Sequence, residues 1–224
     1  MLIATAILFA FQIYGDFSGY SDIAIGTARL FGINLMRNFN FPYFSRDVAE
    51  FWKRWHISLN TWFVDYLYIP LGGSREGKYK QFRNTFIIFF ASGLWHGANW
   101  TFILWGIYHA LLFLPLMIIG KAKKYIETVA EGRRLLSIKE FFMMLLTFAL
   151  VVFGWIIFRA NNITEFVDYL YCIADNFYVV ETESIPKKML LFIVILLCVE
   201  WLNRTKQYGL QFSLPKRWMR WGLY

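Results

Sequence analysis

His96 sits in the run Ser92-Gly93-Leu94-Trp95-His96-Gly97-Ala98-Asn99-Trp100, between two long apolar stretches. Ionisable side chains inside a bilayer are costly, and where they occur they face a polar cavity or a reaction path. An imidazole there can move protons near neutral pH. His96 is therefore the candidate general base, taking a proton from an acceptor hydroxyl. No serine or cysteine stands as an obvious nucleophile, so direct transfer is simpler than a covalent intermediate. The bland alternative is a buried histidine bonded to a neighbouring helix.

The other candidates gather around this one. His56 borders an amphipathic stretch, where a catalytic or substrate-binding role competes with capping or snorkelling. His109 follows Trp105-Gly106-Ile107-Tyr108, and its depth suits a polar packing contact or a substrate contact. Asp16 and Asp22 would orient a histidine, hold a polar channel, or simply face the membrane surface. Trp52, Trp55, Asn99 and Trp100 complete the candidate substrate contacts. Lys53, Arg54 and Arg75 would attract an anionic donor such as a nucleotide phosphate, or equally lipid phosphates. The histidines are 40 and 13 residues apart, which matches no compact ligand motif, so no metal is expected. Cys172 and Cys198 make no disulfide framework.

The elements that must position these residues are those of a membrane protein. The chain has 224 residues, 58% hydrophobic, 21% aromatic and 17% charged, too apolar for an ordinary soluble domain. Its net charge of +8 flanks apolar runs, as positive-inside topology requires, and implies no nucleic-acid partner. Residues 1–14 are apolar without a signal-peptide pattern. Residues 15–22, with two carboxylates among glycines and serines, are expected to break the helix. Residues 23–33 would then form a short re-entrant or interfacial helix ended by Gly32.

Residues 45–68 carry the clearest periodicity. Ser45 is the expected N-cap, with Asp47 and Glu50 near the positive helix end. Val48, Phe51, Trp52, Trp55, Leu59, Trp62, Phe63 and Tyr66 fall on one face. Glu50, Lys53, Arg54, Ser58, Thr61 and Asp65 fall on the other. Such a helix lies in the interface or dips into it. Pro70-Leu71-Gly72-Gly73 ends it.

Residues 84–95 are apolar but only about half a usual span. Residues 98–120 form a longer run with Pro115 as a possible kink, and 141–158 a clear span. Residues 189–202 are a further apolar stretch. The loop 121–139, with six basic and two acidic residues, and the basic tail belong in the cytoplasm. The acidic stretch 159–186, with Glu165, Asp168, Asp175, Glu181 and Glu183, belongs outside. If the chain enters the bilayer near Asn84, His96 lies about 18 Å above the entry, near mid-membrane. The turn at residues 97–100 would be non-helical backbone at that depth, tolerated only where it is buried in protein or lines a wet cavity.

Several motifs in order resemble the membrane-bound O-acyltransferase family, in its bacterial alginate O-acetyltransferase branch. They are Asp16-Phe17-Ser18-Gly19-Tyr20-Ser21-Asp22, Asn38-Phe39-Asn40-Phe41-Pro42-Tyr43, Phe51-Trp52-Lys53-Arg54-Trp55-His56-Ile57-Ser58-Leu59, Asp65-Tyr66-Leu67-Tyr68-Ile69-Pro70-Leu71-Gly72-Gly73 and Gly93-Leu94-Trp95-His96-Gly97-Ala98. The match covers about residues 14–110, with a weaker one at 154–160. The resemblance implies an all-α polytopic membrane fold, with transmembrane and re-entrant or interfacial helices around a central tunnel or funnel. This chain would form one membrane domain over residues 1–224, the carboxy-terminal half of the family fold. It implies that His96 matches the family's essential histidine and His56 a second one nearby. An acetyl group would pass from cytoplasmic acetyl-CoA, with no bound cofactor, to hydroxyls of an extracytoplasmic polysaccharide such as an alginate-like polymer or peptidoglycan. An extracytoplasmic esterase-type partner and a multi-pass location in the bacterial cytoplasmic membrane, among lipids, go with that reading. The alternatives are D-alanyl transfer toward teichoic acid, a transporter or export subunit, and a docking scaffold. The transporter reading lacks an inverted repeat.

Overall fold

The computed structural model describes residues 2–75, 77–120, 124–125, 127–175, 187–210 and 217–221. Lys121, Glu181, Glu183 and Lys216 of the topology argument lie outside the described residues. The chain divides into two compact units, Met1–Ile185 and Pro186–Tyr224. The second holds α8 (Lys187–Asn203) and the short α9 (Arg217–Trp221). The first contains α1 (Leu2–Leu30), α2 (Val48–Arg54), α3 (Ile57–Phe63), α4 (Lys78–His96), α5 (Trp100–Ile118), α6 (Ile138–Arg159) and α7 (Ile163–Asp175). A π-helical turn, Val64–Tyr68, follows α3. All regular structure among the described residues is helical. Three helices, α1, α5 and α6, are long and apolar enough to cross a membrane.

The expected break at residues 15–22 does not occur, and there is no separate helix over 23–33. α1 runs unbroken for 29 residues. Glycine weakens a helix interior by about 1 kcal/mol but does not forbid it, and Ser18 turns its hydroxyl back onto the Gly15 carbonyl. Termination comes at Gly32, which takes φ 74° while the Ile33 N–H reaches back to the Ala28 carbonyl at 3.0 Å. A residue free to be left-handed closes the last turn this way.

The periodic stretch 45–68 is also not one helix. Ser45 does not cap it; its hydroxyl donates to the Pro42 carbonyl, and the Asp47 carboxylate accepts from the Glu50 N–H at 2.7 Å. α2 stops after Arg54. His56 adopts φ 46°, and α3 then starts on a new axis. The reset changes the facing. Trp62 and Tyr66 are 51% and 68% exposed, although a single helix would place them on the apolar face. Glu50 and Arg54, assigned to the polar face, are buried. Glu50 accepts from Arg46 at 3.0 and 3.1 Å and from Arg54 at 2.7 Å. Arg46 also donates to the Glu127 carbonyl at 2.7 Å and lies 3.8 Å from Glu140. Burial alone would lower the Arg46 pKa, but the bond and charge of Glu50 outweigh it and hold it raised.

α4 begins before the apolar run, at Lys78, and is fixed there by buried Asn84. That amide donates to the Leu71 and Gly73 carbonyls, both at 3.0 Å. α4 and α5 form an antiparallel hairpin with their backbones in close contact. A Cβ on Gly93 would strike the Phe102 carbonyl oxygen, and one on Gly106 would strike that of Phe89. Small residues at such crossings let membrane helices approach. Pro115 lies within α5 without ending it. α6 starts on a capping box between Ser137 and Glu140. Tyr14, Tyr43, Phe51, Trp55 and Trp155 interlock where α1, α2 and α6 meet, with ring centroids 5.0–6.3 Å apart.

Candidate active site

His96 is the last residue of α4. Gly97, at φ 149°, turns the chain, and Asn99 restarts it by accepting from the Thr101 N–H at 3.1 Å. The Asn99 amide also donates to the Asn161 carbonyl at 2.7 Å, tying the turn to the start of α7. Non-helical backbone, expected at residues 97–100, is present at 97–99 and pinned from two sides, while Trp100 already belongs to α5. Trp100 is 73% exposed.

The His96 ring is half-buried among Trp95, Trp105 and Phe158, with centroids at 5.0, 5.3 and 4.9 Å. His56 comes to the same place from the α2–α3 turn. Its ring sits edge-on to Phe17 at 4.6 Å and 6.3 Å from Trp95, so both histidines flank one indole. Among the described residues, His56 Nδ1 and Trp105 Nε1, beside these rings, are buried without a protein partner, as are Thr101 Oγ1 and Trp155 Nε1. Buried polar groups are nearly always satisfied. The His56 and Trp105 nitrogens, beside the two histidine rings, mark a place where a polar ligand or water would be welcome.

His109 stands beside Trp105, whose ring lies 5.1 Å from His109 and 5.3 Å from His96. It is fully buried in α5, and its Nδ1 accepts from the Trp52 indole N–H at 3.3 Å. Its Nε2 lies where a Cβ on Gly154 would come within 2.6 Å. Trp52 and His109 thus form a packing pair joining α2, α5 and α6, and Trp55 is enclosed in the aromatic core. Asp16 and Asp22 are exposed on α1, beside Phe17 and Ser21. Among the expected cations, Lys53 is exposed and lines a cavity, Arg54 is committed to Glu50 and the Asn40 carbonyl, and Arg75 lies exposed in the turn after Gly72.

That cavity has a volume of about 470 Å³. Its walls carry Lys53, Asn60, Thr61, Tyr68 and Gln81 over an apolar floor that includes Trp52 and Phe89. Trp52 packs on Trp105 at 5.5 Å, and Trp105 packs on His96. The groove opens among the first turns of α4 and the last turns of α5, and His96 stands at the opposite end of α4. Sequence reading places Asn38 in a family motif but gives it no role; its side chain bonds Ser21 and Ser58 around the His56 turn. Periodicity carries no signal for a loop residue that caps a distant helix.

An all-helical membrane protein whose two histidines converge at a pinned break between helices is the class these features define. The model of the membrane-bound O-acyltransferase family matches residues 1–158, and the chain belongs to that family. It is 46% identical over 158 residues to the probable alginate O-acetylase AlgI of Pseudomonas aeruginosa, covering 70% of this chain and 28% of that protein. It is 39% identical over 159 residues to the peptidoglycan O-acetyltransferase of Helicobacter pylori, covering 71% and 29%. Against the teichoic acid D-alanyltransferase of Bacillus subtilis it is 32% identical over 161 residues, covering 68% and 40%. The matches therefore span less than half the length of these relatives.

Proposed function

We propose that this chain supplies the histidine-bearing part of a membrane O-acyltransferase, with His96 as general base. The observation that carries the reading is the approach of His96 and His56 to Trp95, with the His56 Nδ1 and Trp105 Nε1 atoms beside them buried and unpartnered. An acceptor hydroxyl placed there gives its proton to a neutral His96 nitrogen as its oxygen attacks the donor's thioester carbonyl. Collapse of the tetrahedral intermediate breaks the carbon–sulfur bond, and the imidazolium returns its proton to the leaving thiolate. His56 contacts the acceptor or the developing charge.

The donor is acetyl-CoA, reaching the site from the cytoplasm through the groove beside Lys53, whose ammonium suits a phosphate-bearing donor. The groove's end of α4 carries Lys78, Lys80 and Arg83, in keeping with a cytoplasmic side. The acceptor is a hydroxyl of an extracytoplasmic polysaccharide, and the relatives' names favour an alginate-like polymer or peptidoglycan. An esterase-type extracytoplasmic partner completes the reaction sequence at the bacterial cytoplasmic membrane. The test is the O-acetyl content of envelope and secreted polysaccharide in cells carrying the full-length protein or its His96→Ala variant, at matched membrane abundance. Loss of acetyl groups in the variant is expected. Normal acetylation by it would sink the assignment of His96. Loss of ester-linked D-alanine instead would move the reading to D-alanyl transfer.

A further inference from the structure

His56 holds a left-handed backbone conformation, with φ 46° and ψ 55°, which residues with a side chain adopt uncommonly. Such a conformation persists only where its surroundings over-determine it. Much of that determination comes from Asn38. The Asn38 carbonyl accepts from the Ile57 N–H at 2.9 Å. Its side-chain oxygen accepts from both the N–H and the hydroxyl of Ser58. Its amide nitrogen donates to the buried Ser21 hydroxyl on α1 at 3.1 Å.

Ile57 and Ser58 open α3, where N–H groups have no partner within the helix. His56, in the N-cap position, makes no side-chain cap. Asn38 therefore caps α3 from a distant part of the chain, and through Ser21 it fixes that cap to α1. The same helix supplies Phe17, against which the His56 ring stands. Asn60 closes the other side of the turn, donating to the Trp52 and Trp55 carbonyls. The direction of the His56 ring is thus set by a clamp running from α1 through Asn38 to the first residues of α3.

We infer that Asn38 is a positioning residue for acyl transfer: its bonds to Ser58 and Ser21 aim His56 at the site. The inference rests on the reading of His56 as part of that site. It is tested in the full-length protein with Asn38→Ala, Asn38→Asp, Asn38→Leu and His56→Gln, scored by rate of polysaccharide O-acetylation, membrane abundance and thermal melting in detergent. Aspartate keeps an oxygen for the two Ser58 bonds, and leucine fills similar space with none.

Alanine and leucine are expected to lose at least about tenfold in rate, part of the loss that a 1 Å misplacement brings. Aspartate should recover most of it, with melting close to wild type throughout. Asn38→Ala placed on His56→Gln should cost far less than on wild type, because Asn38 acts through His56. Equal losses for aspartate and leucine, or full additivity with His56→Gln, overturn the inference. A wild-type rate for His56→Gln sinks the role of His56 itself, whatever Asn38 does. Should the Asn38 variants not accumulate, Ser21→Ala cuts only the tie to α1. It should lower the rate, and a wild-type rate from it overturns the inference.

Discussion

Adding one methyl group at Gly93 or Gly106 should disable the site while leaving the protein in the membrane. At Gly106 the new Cβ meets the Phe89 carbonyl, with the carbonyl carbon at 3.0 Å, and at Gly93 it meets the Phe102 carbonyl with its carbon at 3.0 Å. Both obstacles are backbone, so no rotamer change relieves them. Ordinary contact starts at 3.4 Å, and α4 and α5 must part by about 1 Å locally. Overpacking of this kind costs about 1–3 kcal/mol. Alanine returns about 1 kcal/mol through its better helix propensity. The net loss of stability is therefore small. At Gly93 the displacement falls on the last turn of α4, three residues before His96, and at Gly106 it falls at Phe89, seven residues before His96. A misplacement of 1 Å costs on the order of 100-fold in rate, equivalent to about 2.7 kcal/mol of barrier. Gly154→Ala is the contrast, because its Cβ would meet the His109 side chain at 2.6 Å rather than backbone. By the same reckoning it should lower stability by no more than about 2 kcal/mol, with a smaller effect on rate at equal abundance. The assay is O-acetyl content per unit of polysaccharide, normalised to membrane abundance of the full-length protein. Gly93→Ala and Gly106→Ala variants that lose activity only in proportion to abundance would refute the argument that this contact sets His96.

The packing pair and the buried ion cluster give two further expectations. Glu50→Gln leaves the Arg46 and Arg54 guanidinium groups buried without the carboxylate between them. It should cost about 3–5 kcal/mol, seen as a marked fall in melting temperature in detergent, and unchanged melting would show that the cluster is not a stabilising unit. Trp52→Phe strips the Nδ1 of buried His109 of its donor and should cost about 1–3 kcal/mol, measured by the same melt. Adding His109→Phe should cost less than the sum of the single changes, since it removes the orphaned acceptor, and strict additivity would contradict the bond.

The sequence made the histidines legible for one reason and hid their geometry for another. His96 stands out because a polar residue between apolar runs violates membrane patterning, and Gly97 beside it announces a turn. Those signals are local, and the structure keeps them: α4 ends at His96 and α5 restarts at Trp100. The stretch 45–68 failed because a helical period cannot report a one-residue reversal. A single left-handed residue at His56 leaves hydrophobic spacing nearly intact on both sides yet rotates everything after it. That is why Trp62 and Tyr66 emerge. Glu50 and Arg54 precede the reversal and are buried for another reason: α2 is enclosed on most of its surface, and there they pair with each other. Glycine misled in the opposite direction. Gly15 and Gly19 suggested a break that α1 absorbs, whereas Gly93 and Gly106, unremarkable inside apolar runs, permit the closest helix approach in the hairpin. A glycine's meaning depends on what faces it, and the facing element is 9 to 17 residues away in these two cases. His96 and His56 are therefore visible in the sequence as residues, while their approach to a shared indole is not. The arrangement depends on Asn38, Gly93 and Gly106, three residues that carry no charge and suggest no catalysis.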